Sequence, residues 1–168
     1  MSSGRLLKFC SISLVLPFTL NFYAYYGFIS NYSKDAFSKA SFLVQFEAGI
    51  YKYRILGRHL ILFLNDILET YGLEDRNSER LKFLDSRVSA HFYDSYFVLN
   101  TVFLCLTSAV LYLIYSQKVF DLSEREKYLW IVVLLFYMVL SQFAVVPYDI
   151  LSYFITCTGI YLGVTHHL

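Results

Sequence analysis

From residue 95 to residue 115 the chain runs without a single charged side chain. A hydrocarbon core about 30 Å thick takes about 20 such residues as a helix, and within it each backbone amide must find its partner inside the segment. No other feature limits the fold so tightly. Residues 9–29 make a second uncharged run, preceded by Arg5 and Lys8. Residues 129–146 make a third, and residues 150–164 a shorter fourth after the break Pro147-Tyr148-Asp149. The first run is longer than the apolar stretch of about 7–15 residues in a signal peptide. No small-residue cleavage pattern follows it either, so it reads as a retained helix with Pro17 as its kink point.

Composition agrees with this reading. The chain is 57% hydrophobic and 16% charged, against roughly one-quarter charged in an ordinary soluble domain. One compact core cannot hide that much apolar surface, and a bilayer can. The net charge of +1 comes from scattered residues, so there is no basic stripe for nucleic acid. Cys10, Cys105 and Cys157 lie inside apolar runs. Their spacing suits neither a disulfide framework nor zinc, and they read as small buried hydrophobes. No P-loop, Rossmann fingerprint, H-E-x-x-H or G-x-S-x-G is present, which argues against the soluble chemistries those motifs serve.

The expected fold is therefore all-α: a polytopic transmembrane helix bundle of about four spans, forming a single membrane domain over residues 1–168. Residues 30–94 hold most of the charges and form a long loop with one or two surface-lying helices. Residues 55–68 are apolar but short for a crossing, and they carry Arg58, His59, Asn65 and Asp66. Residues 77–88 read as a second helix, capped by Asn77 or Ser78, with Leu81, Leu84 and Val88 on one face. Orientation follows from basic residues in short loops. The N-terminal tail has Arg5 and Lys8, the 117–128 loop has Lys118, Arg125 and Lys127, and the 147–149 break has none. This predicts a cytoplasmic N-terminus, with loop 30–94 and the Pro-Tyr-Asp turn outside. The last run ends in Thr165-His166-His167-Leu168, with no basic or aromatic anchor beyond it. The expectation is either an abrupt end or the front part of a longer polytopic chain.

Three constellations could carry chemistry. Glu47 is followed by Tyr51, Tyr53, Arg54, Arg58 and His59. Arg54 and Arg58 would share a helix face and could grip a phosphate, with Glu47 as a general base. The same residues also fit an interfacial helix start, with Tyr at head-group level and Arg snorkelling to lipid phosphates. His91 and Asp94 lie three apart and could pair on a helix; Asp94 equally suits a helix start favoured by the dipole. Asp149 opens the fourth run after Pro147; an acid there is either functional or an N-terminal cap. Under the predicted topology Glu47, Arg54, Arg58, Asp94 and Asp149 lie near one outer boundary and could line one cavity.

The order of elements resembles the front half of bacterial polytopic membrane proteins related to the GT-C glycosyltransferases. The resemblance rests on the first span, the long loop with an acidic residue, Tyr53-Arg54-Ile55-Leu56, and Pro147-Tyr148-Asp149 opening a later span. It implies transfer of a sugar from a polyprenyl-phosphate carrier at the outer leaflet of a bacterial inner membrane. Glu47, Asp94 and Asp149 would be the catalytic acids, with Glu47 activating the acceptor. Tyr53, Arg54, Arg58 and His59 would bind the substrate, Arg54 and Arg58 at the lipid phosphate. The residues themselves mark no metal site or cofactor, while the family allows a divalent cation. Members carry an Asp in the first loop where this chain has Glu47 or the more distant Asp35, and they have more spans. The expectation thus includes a truncated form without activity. The alternative is a non-catalytic membrane subunit that packs against partner helices. Gly159 and Gly163 form a G-x-x-x-G pair for close helix approach.

Overall fold

A computed structural model describes residues 3–27, 39–48, 55–71, 89–144 and 150–166. Every regular element among the described residues is helical. Helix α1 covers residues 3–27 in four segments: α-helical Ser3–Cys10, a π turn Ser11–Val15, α-helical Leu16–Phe22 and a second π turn Tyr23–Gly27. Then come α2 (Lys39–Ala48), α3 (Ile55–Thr70), α4 (Ala90–Tyr115), α5 (Glu124–Ala144) and α6 (Ile150–His166). Leu6–Tyr26 within α1, and α4, are long and apolar enough to cross a membrane. The chain divides into two compact units: residues 1–27 with 100–168, and residues 28–99.

The first unit buries several polar side chains among apolar ones and leaves many large apolar side chains exposed. Asn21, Asn100, Thr107 and Ser108 are buried, while Leu7, Val15, Leu129, Phe136 and Ile155 are exposed. On α4 the buried positions Asn100, Leu104, Thr107, Ser108, Leu111 and Ile114 recur every three or four residues, so one face of the helix packs inward. On α5 the same spacing gives Ile131, Leu135, Met138 and Val139. Leu16–Phe22 packs against α5, and Phe103 of α4 meets Phe154 of α6 with ring centroids 5.6 Å apart.

Hydrogen bonds join α1 to α4 in antiparallel order. Ser108 Oγ donates to the Ile12 carbonyl at 2.7 Å, and Asn21 Nδ2 donates to Thr101 Oγ1 at 2.8 Å. Asn100 Nδ2 donates to the Tyr25 hydroxyl. The first bond answers a local problem. Pro17 has no N–H, so a backbone carbonyl one turn earlier loses its helical donor. The chain widens there into the π turn, with the Leu16 N–H on the Ser11 carbonyl, and the Ile12 carbonyl takes its proton from α4 instead. A neighbouring hydroxyl is a common way to satisfy a carbonyl freed by proline in an apolar setting. Between α4 and α5 a 3-10 turn, Lys118–Phe120, ends on Asp121 at φ 39°, a left-handed conformation that Asp tolerates better than most side chains.

The second unit holds α2, α3 and the first residues of α4. Phe42, Phe92 and Tyr96 pack edge to face, with centroids 5.2 to 5.9 Å apart. Lys39 reaches Asp66 at 3.5 Å and Glu69 at 3.4 Å, and buried Asn65 donates to Glu69 at 2.8 Å.

Several elements differ from the sequence reading in extent. The short helix expected over 55–68 is present as α3, and the helix expected over 77–88 lies outside the described residues. Helix α2 was not anticipated: KASFLVQFEA has no clear apolar stripe. Helix α4 begins ahead of the uncharged run because Ala90–Asp94 continues the same helix. Helix α5 begins at Glu124, ahead of the apolar run at 129, because a reciprocal cap starts it there. Ser123 N–H and Oγ donate to Glu126 Oε2 at 2.8 and 2.6 Å, and the Glu126 N–H returns to Ser123 Oγ at 3.4 Å.

Candidate functional site

The residues singled out in the sequence fall into three groups. Tyr53, Arg54 and Asp149 lie outside the described residues. Glu47 is in α2 near its C-terminal end, with its backbone alone described. Arg58, His59 and Asp94 are fully described. Arg58 is half-buried and His59 exposed on the first turns of α3, and Asp94 is half-buried one turn into α4. His91, one turn before Asp94, offers its carbonyl to Ser95 Oγ at 2.6 Å. These positions belong to the second unit, whereas Asp149 falls in the sequence range of the first. Among the described residues no group of three His, Cys, Asp or Glu side chains is placed to hold a metal ion.

A different concavity lies wholly in the first unit. The N-terminal end of α1 and the first two turns of α5 enclose a groove of about 590 Å³, within the range of small-ligand sites. Leu7, Ile12, Leu16 and Val132 give it an apolar floor, and Lys8, Arg125 and Tyr128 also line it. Lys8, Ser11, Ile12 and Leu16 share one face of α1 by helical spacing, as Glu124, Arg125, Tyr128 and Val132 do on α5. Aromatic rings gather at the same end. Tyr112 at the end of α4 meets Phe9 at 5.3 Å and Tyr128 at 6.3 Å between centroids. Tyr115 meets Phe120 at 5.7 Å.

The charges around this groove are unevenly balanced. Glu124 is held by Lys127 at 3.0 Å. Glu126 belongs to the cap, and hydrogen bonds from the Ser123 hydroxyl, then from its backbone N–H, hold its carboxyl below the ordinary carboxylate value. Among the described residues Lys8 and Arg125 have no carboxylate partner. The sequence reading used both residues only as orientation markers. A signal was nevertheless present, since Lys8 adjoins the first apolar run and Arg125 stands one turn before the third. What the sequence lacked was the pairing of the two helix starts.

No protein-family model matches the chain, and no curated protein or solved structure matches it. Function rests on the geometry alone.

Proposed function

We propose that the chain is an integral membrane protein that crosses the bilayer four times, near residues 9–29, 95–115, 129–146 and 150–164. The observation that carries this reading is the outer surface of the first unit, where large apolar side chains such as Leu7, Val15, Leu129, Phe136 and Ile155 are exposed while Asn21, Asn100, Thr107 and Ser108 lie buried among apolar residues at the helix contacts. In water such an arrangement would leave a large apolar surface uncovered. In lipid it is the expected one, with small and polar groups at the helix contacts. Helix α5 has 21 residues, about 31 Å of rise, and α6 has 17, about 26 Å. Both lengths serve as crossings of a core about 30 Å thick, the shorter with local thinning. Under this reading the N-terminus and the 117–128 loop are cytoplasmic, in a bacterial inner membrane.

Its working role in this proposal is a non-catalytic subunit that packs against another apolar helix in the same membrane. A side chain grown from Gly159 or Gly163 would meet nothing within 4 Å, so that face of α6 is open to a neighbour. The competing reading is sugar transfer from a polyprenyl-phosphate carrier. It is favoured by Arg58 and His59 standing together at the start of α3, close in sequence to Arg54 and Glu47.

One experiment separates the two. The full chain is reconstituted in vesicles containing a polyprenyl-phosphate sugar, as wild type and as Glu47→Gln. The subunit role predicts no transfer by either form. Transfer by the wild type that Glu47→Gln abolishes would replace it with the enzymatic reading.

A further inference from the structure

The groove between α1 and α5 combines three properties. Its floor is aliphatic, from Leu7, Ile12, Leu16 and Val132. Its lining carries two cations, Lys8 and Arg125, both exposed and without a carboxylate partner among the described residues. The nearest acid on the groove wall, Glu124, is already compensated by Lys127 at 3.0 Å. The first-turn amides of α5 are partly engaged by the Ser123–Glu126 cap, so side chains and not the helix start would have to hold an anion. Aromatic residues at the same end, Phe9, Tyr112 and Tyr128, are the residue types that settle at head-group depth.

We propose that this groove binds one phospholipid with an anionic headgroup. Lys8 and Arg125 hold the phosphate, and one acyl chain lies along Leu7, Ile12, Leu16 and Val132. Charge complementarity chooses the occupant: two cations with no carboxylate partner among the described residues, over an aliphatic floor, match a single molecule that joins a negative head to a hydrocarbon tail. A zwitterionic lipid offers the same tail and phosphate, but its own ammonium opposes the two cations. The site rests on the membrane reading and concerns the α1 and α5 ends, which the sugar-transfer reading does not use.

The test is native mass spectrometry of the full chain in neutral detergent. It is titrated with palmitoyl-oleoyl phosphatidylglycerol or with phosphatidylcholine of the same chains. The expected result is one phosphatidylglycerol retained per chain, with at least tenfold preference over phosphatidylcholine. Lys8→Gln with Arg125→Gln should lower phosphatidylglycerol retention about tenfold or more and leave phosphatidylcholine unchanged. Val132→Trp, which fills the groove and leaves both cations in place, should also remove the bound lipid. Helicity and elution volume are read on every variant, and Val132→Trp decides the matter if the double variant misfolds. Equal retention of the two lipids, or phosphatidylglycerol retained at wild-type level by a folded variant of either kind, would overturn the proposal. Because the protein is already in detergent, a negative result here is distinct from a failure to insert into a bilayer.

Discussion

Proline 17 shows how one residue shapes two helices. Its missing N–H opens a π turn in α1 and hands the Ile12 carbonyl to Ser108 of α4. The proline was legible in the sequence as a point of helix distortion. The serine that compensates was not, because it lies 96 positions away and only the helix register brings the two together. Ser108→Ala should lower stability by about 1 kcal/mol in a reversible detergent unfolding titration, the usual cost of an interhelical hydrogen bond. In a Pro17→Ala background the cost should shrink, because the restored N–H can satisfy a carbonyl of the preceding turn. The same loss in both backgrounds would show that the bond and the proline are unrelated.

At the level of whole elements, α5 is the helix whose start was misplaced by reading hydropathy alone. The apolar run begins at Leu129, yet the helix begins at Glu124 because Ser123 and Glu126 close a reciprocal cap. The S-x-x-E pattern was present in the sequence and would have located it. The cap carries a pH dependence. The folded carboxyl of Glu126 lies below its ordinary value, mainly through the Ser123 hydroxyl. Its contribution is therefore complete above the ordinary carboxylate range and is lost as pH falls through the lowered value. Hydrogen exchange over residues 121–128 should be faster in Glu126→Gln than in wild type near pH 7. That difference should shrink and vanish as pH falls through the lowered carboxylate value. A difference independent of pH would rule out the carboxylate as its source. Helix α2 is the opposite case: nothing in its ten residues marks a helix without the packing of Phe42 on Phe92 and Tyr96.

For the molecule as a whole, the long uncharged runs made the helical class legible, since only a helix satisfies its own amides over such a stretch in lipid. The candidate site was much less so. Charge near apolar runs was visible, but which helix ends meet depends on packing that no linear pattern encodes. The membrane reading can be separated from a water-soluble one at Val133, 48% exposed near the middle of α5. On a soluble surface Val133→Lys would be nearly neutral. In a bilayer a lysine at the helix centre costs roughly 3 kcal/mol, so the variant should insert poorly in a membrane-integration assay. Normal insertion and folding of Val133→Lys would count against α5 as a lipid-facing span. The contacts between α1 and α4 also set an order of events during synthesis. Asn21 is partnered by Thr101, 80 residues later. At roughly 5–20 residues per second the ribosome needs about 4–16 s to supply that partner. For those seconds the first helix lacks this bond to α4, so its final packing has to wait for the fourth helix.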